Sequence, residues 1–276
     1  MRPTAADKRA AFRALHASGC FVLPNPWDVG SAVILESLGF KALASTSAGM
    51  AWGMGRPDYK VARDEVLTHL SVLTHAVDLP INADFENGFA DDPEGVAANV
   101  ALAVDTGVAG LSVEDSTGDR ENPLYDFTLA VERIAAARAA IDKTGSGVLL
   151  TARSEGFIAG RPDMDETLRR LEAYAAAGAD CLYAPGLRGE DQIALVVKAA
   201  GAKPVNVLTP GLDVATLAGL GVRRISVGGS LARVAYGAFL GAAKQIADEG
   251  SFAGFAGGAS GAELNGIFAA DLKARG

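Results

Sequence analysis

The regular alternation of strand-like and helix-like segments constrains this chain more than any other feature of its sequence. Eight short apolar runs of strand length are separated by segments that are long enough for helices. The predicted strands cover residues 20–25, 41–46, 80–84, 109–114, 148–153, 180–184, 204–208 and 224–229. Such alternation indicates a parallel sheet, and eight βα units within 276 residues predict an α/β fold, a (β/α)8 TIM barrel.

The helical segments fit the same architecture. Asp28 can cap a helix that stops at Gly39, and Asp92 followed by Pro93 is typical of another helix start. The predicted helices cover residues 5–18, 28–38, 60–77, 92–106, 126–143, 165–177, 189–200, 212–219, 230–247 and 260–273. Residues 47–55 are predicted to form a loop of small residues.

We therefore expect residues 1–276 to form a single domain. Its barrel core covers about residues 20–247, and a C-terminal helical extension covers about residues 250–276. The extension is surplus to a barrel, so it is free to pack on another subunit.

Composition excludes several classes of partner. The net charge of −8 argues against nucleic acids and anionic membranes, because either partner would call for a basic surface. No apolar run approaches the roughly 18 residues of a membrane span. Two cysteines are too few for a disulfide framework, and the first residues lack the apolar core of a signal peptide. The expected location is the cytoplasm.

Carboxylates follow the third and fourth predicted strands at the point where each strand ends. Asn82, Asp84 and Glu86 alternate along one run, and Ser112 and Glu114 alternate along the next. Side chains two apart share a face of a strand, so we expect these acids to converge. Converging carboxylates repel one another unless a cation or shared protons hold them. Their oxygen donors suit Mg²⁺ or Mn²⁺.

Other polar residues end the remaining strands, where the active site of a TIM barrel lies. They are Ser45, Ser47, Arg153, Tyr183 and Asn206. The lysines lie on helices or at strand starts, which argues against a Schiff-base aldolase. A buried arginine at a strand end needs an anion, and for Arg153 this is Glu114, Glu155 or the carboxylate of a substrate. Asp58, just before a helix, is either a site residue or only a helix cap.

Five short motifs follow one another in a distinctive order. They are Ser45-Thr46-Ser47-Ala48-Gly49, Gly55-Arg56-Pro57-Asp58, Asp84-Phe85-Glu86-Asn87-Gly88, Val113-Glu114-Asp115 and Ala152-Arg153-Ser154-Glu155-Gly156-Phe157. This ordered set resembles the isocitrate lyase/phosphoenolpyruvate mutase superfamily over roughly residues 20–235. The resemblance implies a Mg²⁺-dependent barrel that acts on 2-oxo or 2-hydroxy carboxylates. It also implies a helix-swapped homo-oligomer, a dimer or a tetramer.

The resemblance assigns roles to particular residues of this chain. The metal-site acids correspond to Asp84, Glu86 and Glu114, with Asp58 nearby. The catalytic group is expected to comprise Asp58, Glu114 and Arg153. The resemblance assigns substrate binding to Ser45, Thr46, Ser47 and Arg153. Tyr183 and Asn206 are added as substrate-binding residues because they end the sixth and seventh strands.

Three departures from the family pattern bear on the substrate. The loop 116–125 lacks the cysteine of the isocitrate and methylisocitrate lyases, and Cys20 and Cys181 lie on other strands. Ser116 stands where phosphonate-handling members carry a lysine, and Glu86 replaces the second Asp of an Asp-x-Asp motif.

The expected function is therefore Mg²⁺-dependent cleavage of a C–C bond in a small 2-oxo or 2-hydroxy di- or tricarboxylate. Retro-aldol cleavage or decarboxylation would proceed through a metal-stabilised enolate, with a proton donor other than a loop cysteine. Two alternatives stay open. One is P–C bond chemistry of the phosphonopyruvate mutase or hydrolase type, and the other is a catalytically silent binder of 2-oxo acids.

Overall fold

Eight parallel strands form a nearly closed barrel. The computed structural model describes residues 2–208 and 211–276 of the chain. The strands are β1 Phe21–Leu23, β2 Leu43–Ala44, β3 Ile81–Asp84, β4 Gly110–Glu114, β5 Leu149–Arg153, β6 Cys181–Tyr183, β7 Val205–Leu208 and β8 Arg224–Ser226. Sequential strands pair in parallel from β2 to β8, and β8 pairs with β1. A backbone hydrogen bond of 3.0 Å from Ala44 N to Pro24 O links the two ends of the sheet. The predicted TIM barrel is confirmed.

Helices separate the strands along the chain. They are α1 Ala5–Ala17, α2 Val29–Ser37, α3 Ser47–Gly53, α4 Arg63–Ala76, α5 Pro93–Asp105, α6 Phe127–Thr144, α7 Met164–Ala176, α8 Glu190–Ala200, α9 Val214–Gly219, α10 Ser230–Glu249 and α11 Gly261–Arg275. The expected caps are present, because Asp28 accepts from the Ser31 amide and Asp92 from the Gly95 amide, both at 2.7 Å. Such caps satisfy amide donors that the first helical turn leaves free.

The segment after β2 differs from the predicted loop. Residues Ser47–Gly53 form the short helix α3, which Thr46 caps by accepting from the Gly49 amide at 3.2 Å. A Cβ atom at Gly49 would lie 2.7 Å from Thr46 Cγ2 and 2.8 Å from Trp27 Cβ. The small residues therefore allow close packing of a helix rather than an open loop.

Glu86 was expected to share a strand face with Asp84, but it lies beyond the end of β3. β3 stops at Asp84, and Glu86 adopts the left-handed conformation with φ of 46°. A non-glycine residue with positive φ is uncommon and marks a sharp turn. The prediction that Glu86 continues the alternation of β3 is therefore wrong, and its position depends on this turn.

The apolar core lies between the strands and the surrounding helices. Leu111 and Leu150 from the strands pack with Val100, Ile134 and Leu171 from the helices. The inside of the barrel, by contrast, is largely polar toward the carboxyl ends of the strands. None of the described helices is long and apolar enough to cross a membrane.

The two C-terminal helices behave differently from each other. α11 folds back onto α2, where Phe268 packs against the core and Arg275 pairs with Glu36 at 2.8 Å. α10 buries only Ala232 and packs mainly against a 3-10 helix at Ala253–Gly257. Phe239 on α10 is 67% exposed. The extension is therefore anchored to its own chain by α11, while α10 presents apolar residues to solvent.

Candidate active site

A cavity of about 190 Å³ opens at the carboxyl ends of the strands. It is smaller than the pockets that hold drug-sized ligands, so it suits a small metabolite. The predicted residues that line it are Ser45, Thr46, Ser47, Asp58, Asp84, Arg153, Tyr183 and Asn206. Glu86 and Glu114, which were also predicted as site residues, are buried and do not line this cavity.

Arg153 is the centre of the charged groups at the mouth of the barrel. Its Nη1 lies 2.7 Å from Asp84 Oδ1, its Nη2 lies 3.0 Å from Glu114 Oε2, and its Nε lies 2.9 Å from Glu155 Oε1. Burial alone would lower the pKa of Arg153, but the charges of Glu114, Glu155 and Asp84 outweigh it and raise that pKa. Both protein anions considered from the sequence are thus real partners, and Asp84 is a third.

Strand register explains why these groups meet. Glu114 and Arg153 are the last residues of β4 and β5 and lie directly opposite each other. Asp84 ends β3, where its amide donates to Ser45 Oγ at 2.8 Å and its Oδ2 accepts from the Ser47 amide at 3.0 Å. The carboxyl ends of parallel strands meet at one rim of a barrel, so short sequence motifs that are far apart form one site.

Asp58 and Glu86 add negative charge beside Asp84. Burial raises the pKa of Asp58, and the charge of Asp84 raises it further, while a hydrogen bond with Ser47 opposes the rise. Burial, followed by the charges of Asp84 and Asp58, raises the pKa of Glu86 to about 8. Within the described chain, Glu86 forms no ion pair at all. The charge of Asp84 therefore lies close enough to disfavour ionisation of both Asp58 and Glu86.

Glu114 has a different environment. Burial raises the pKa of Glu114, Arg153 opposes that rise, and Glu155 adds to it. Its Oε1 accepts a hydrogen bond from the phenol of Tyr59, a residue whose φ of 61° is unusual for a bulky side chain. Glu114 therefore faces Arg153 and Tyr59 rather than the cavity.

Two acids that line the cavity show whether the site fits the Mg²⁺ that the superfamily resemblance implies. Among residues 2–208 and 211–276, no three His, Cys, Asp or Glu side chains lie close enough to hold one ion between them. Mg²⁺ needs no such cluster, because it usually keeps several waters and binds one or two carboxylates. Asp84 and Asp58 both line the cavity and offer oxygen donors, and the repulsion between them would be relieved by a divalent cation. The residues present fit the ion.

An outer pocket of about 500 Å³ adjoins the cavity through Asp58 and Ile158. Tyr59, Glu155 and loop residues that include Arg120 line it. Asp115 anchors the base of this loop, because it accepts from the Glu155 amide at 2.7 Å and from the phenol of Tyr174 at 2.7 Å. The loop 116–125 therefore forms a wall of the entrance to the site.

Sequence reasoning missed several residues of the site. Asn25 accepts from the amides of Val227 and Gly228, both at 2.9 Å, and donates to Ser45 O at 2.9 Å. Tyr59 and Arg224 were also not identified. Arg224 and Ser226 are two apart on one strand, and this alternation is the signal that both point into the barrel.

Comparisons with known proteins agree with this geometry. A protein of known crystal structure from Burkholderia cenocepacia J2315, provisionally named a lyase/mutase, is 47% identical, with a TM-score of 0.92 and 96% of each chain covered. The oxaloacetate decarboxylase of Ectopseudomonas mendocina is 32% identical over 79% of this chain and 77% of its own length. A phosphonopyruvate hydrolase, solved in complex with oxalate and Mg²⁺, is 26% identical, with a TM-score of 0.84 and 97% of each chain covered.

The sequence model of the phosphoenolpyruvate phosphomutase family matches residues 12–247. That span contains all eight strands and the residues that line the cavity. The resemblance noted in the sequence is therefore confirmed: the chain belongs to the phosphoenolpyruvate phosphomutase family, within the PEP mutase/isocitrate lyase superfamily of enzymes.

Proposed function

We propose that this protein is a Mg²⁺-dependent carbon–carbon lyase. Its substrate would be a small 2-oxo or 2-hydroxy di- or tricarboxylate, which it would cleave by decarboxylation or retro-aldol reaction through an enolate. The observation that carries the proposal is Arg153, held by three carboxylates at the rim of a small polar cavity that Asp58 and Asp84 also line. The similarity to an oxaloacetate decarboxylase favours decarboxylation.

Asp84 is the best-placed ligand for the ion, and Asp58 and Glu86 lie near enough to assist through water. Mn²⁺ has the same preference for oxygen donors and would be an alternative occupant. When bound, the ion supplies positive charge against the negative charge that develops on the substrate during bond cleavage. Glu114 was also expected to assist. It contacts Arg153 at 3.0 Å and does not line the cavity, so it would act on the ion through other groups rather than as a direct ligand.

Arg153 would bind the carboxylate next to the reacting carbon. A guanidinium has five N–H donors, and the three carboxylates account for three of them. One hydrogen each on Nη1 and Nη2 remains to donate to a substrate. The three carboxylates fix the orientation of the fork, so little side-chain freedom is lost when a substrate binds.

Tyr183 and Asn206 support this arrangement from the adjacent strands. The Arg153 guanidinium lies 5.2 Å from the centre of the Tyr183 ring, which limits its movement on that side. Asn206 donates to Ser226 Oγ at 3.0 Å and accepts from Arg224 Nε at 2.8 Å. Asn206 would therefore act on the substrate mainly through the residues that it positions.

NMR of separate reactions tests the proposal. The Mg²⁺-loaded protein would be mixed with oxaloacetate, an alkylmalate, methylisocitrate or phosphonopyruvate, each with an EDTA control. We expect EDTA-sensitive release of a 2-oxo acid from a carbon substrate, and loss of that activity in Asp84→Asn. Asp78→Asn is the matched control, because Asp78 does not line the cavity and, among the described residues, pairs only with Arg2 at 2.8 Å and Arg275 at 3.9 Å. Full activity of Asp84→Asn with unchanged Mg²⁺ binding would refute the scheme.

One observation favours the alternative of P–C bond chemistry. Ser116 replaces the lysine that the resemblance implies, but Arg120 lines the outer pocket and could supply positive charge to a phosphonate. Turnover of phosphonopyruvate alone would assign the protein to that reaction. Binding of oxalate or pyruvate with no turnover of any candidate would favour a silent binder.

We also propose that the protein works as a homo-oligomer in which α10 packs on a second copy. Val234, Phe239 and Leu240 on this helix are more than half exposed, and Phe252 and Phe255 beside it are exposed as well. Several large apolar residues left exposed on one helix and the segment beside it indicate an interaction site. A second copy is the favoured partner, because the superfamily resemblance implies exchange of helices between subunits.

A further inference from the structure

Arg224 lies deeper in the barrel than the charged groups at the mouth. It is the first residue of β8, is 2% exposed, and lines the same cavity as Asp84 and Arg153. Its side chain crosses the inside of the barrel, because Nε donates to Asn206 Oδ1 at 2.8 Å on β7 and Nη1 to Asn82 Oδ1 at 3.3 Å on β3. The guanidinium therefore forms part of the cavity floor.

None of the acceptors that hold this guanidinium carries a charge. Besides the two Asn oxygens, Nη1 lies 3.4 Å from His16 Nε2. His16 Nδ1 lies 2.8 Å from the carbonyl of Phe12, which can only accept, so Nδ1 carries the proton and Nε2 accepts from Arg224. Burial, followed by the charge of Arg224, lowers the pKa of His16 to about 3, so the ring is neutral.

The charge of Arg224 is thus left without a counter-ion. In the described part of the chain no carboxylate lies within ion-pair distance of Arg224, whereas Arg153 has three. Two N–H groups on Nη2 also have no acceptor among the described residues. A buried charge is costly unless it is paired, so this position favours an anion from outside the protein.

We propose that Arg224 binds a second anionic group of the substrate, a carboxylate at the end remote from the one that Arg153 binds. This inference rests on the proposed function for the first carboxylate and narrows the substrate to small diacids. The acidic mouth would hold the cation-chelating end of such a molecule, and the basic floor would hold its far end. A monoacid would leave the floor charge unpaired, so the site would discriminate against it.

Calorimetric titration in the presence of Mg²⁺ tests the floor without requiring turnover. The two ligands would be malate and 2-hydroxybutyrate, which share a 2-hydroxy acid end and differ in the distal carboxylate. We expect the wild type to bind malate at least about tenfold more tightly, because a charge-assisted contact of at least about 1.4 kcal/mol is added. In Arg224→Met the preference should disappear through weaker malate binding alone.

Two further variants sharpen the test. Arg223→Met is the matched control, because Arg223 is the adjacent arginine, donates to Gly19 O, and does not line the cavity. It should keep the preference for malate. Arg224→Lys keeps the charge and should keep part of the preference, which would separate charge from packing. If Arg224→Met fails to fold, the wild-type comparison of the two acids and the Lys variant still decide the matter.

Equal binding of malate and 2-hydroxybutyrate by the wild type would overturn the inference. It would also be overturned if a folded Arg224→Met protein preferred malate as strongly as the wild type does. The outcome is independent of the proposed reaction. If the preference for malate depends on Arg224 but the protein cleaves none of the carboxylic acids tested, the anion site at Arg224 is supported and the proposed lyase activity is not. If the protein cleaves a carboxylic acid but Arg224→Met does not change the preference for malate, the lyase activity is supported and the anion site at Arg224 is rejected.

Discussion

Glu86 offers a quantitative check on the electrostatics of the site. It is 6% exposed and lies beside Asp84 and Asp58. Burial and these two charges raise its pKa from 4.5 to about 8. Replacement of Glu86 by Gln keeps the size and shape of the side chain but removes its ability to ionise. The variant should therefore change how stability depends on pH.

The direction follows from proton linkage. Between about pH 4.5 and about pH 8 the folded protein keeps the Glu86 proton, while the unfolded chain has released it. The contribution of Glu86 to stability is thus complete below about pH 4.5 and is lost as the pH rises toward about 8. Each pH unit inside this window corresponds to about 1.4 kcal/mol. From about pH 5 to about pH 7.5 the wild type should lose about 3 kcal/mol more than Glu86→Gln.

Urea unfolding at these two pH values, followed by circular dichroism in the presence of EDTA, measures the difference. Glu132→Gln is the control, because Glu132 lies on the exposed face of α6 and should leave the wild-type profile unchanged. If the wild type and Glu86→Gln lost stability in parallel, to within about 1 kcal/mol, Glu86 would not be a strained acid. The electrostatic account of the Asp58, Asp84 and Glu86 group would then fail.

Two other predictions concern the support of the site and the state of assembly. Tyr174→Phe removes a buried phenol that donates to Asp115 at 2.7 Å, and the free energy of unfolding should fall by about 1–3 kcal/mol in urea titrations, since Asp115 keeps only Arg170 and a backbone amide. An unchanged value would show that the phenol does not stabilise Asp115. Phe239→Glu should shift the protein to a smaller species in sedimentation velocity, whereas Val72→Glu, at an exposed site on α4, should not. A monomeric wild type would contradict the proposed assembly.

Most of the fold and much of the site could be predicted because both follow from local patterns. A run of apolar residues between Gly or Asp signals locates a strand or a helix without knowledge of the rest of the chain. Once the barrel is identified, topology brings the ends of all strands to one rim, which is why Asp84, Arg153 and Tyr183 line a common cavity. Each of these residues stands where an apolar run ends.

Residues whose position depends on a turn or on a long side chain escaped this reasoning. Glu86 was placed by alternation, but the positive φ at this residue ends the pattern. The signal for that turn is Asn87-Gly88, a dipeptide typical of turns, which the alternation argument did not use. Arg224 is the first residue of β8, so the rule that active-site residues lie at the carboxyl ends of strands did not identify it. Its side chain is long enough to reach the cavity from there and to contact residues on two other strands.

The helix that follows strand β8 shows a different limit of sequence reasoning. Periodicity identifies α10 as a helix and shows which of its residues are apolar, but it does not show which surface they cover. In a closed monomeric barrel this helix would lie against its neighbouring strands, yet here it buries only Ala232 and leaves Phe239 largely exposed. The same apolar residues of α10 could be covered by the rest of their own chain or by a second copy of the protein. Only the path of the backbone after Gly229 distinguishes the two, and it directs α10 away from the barrel core of its own chain.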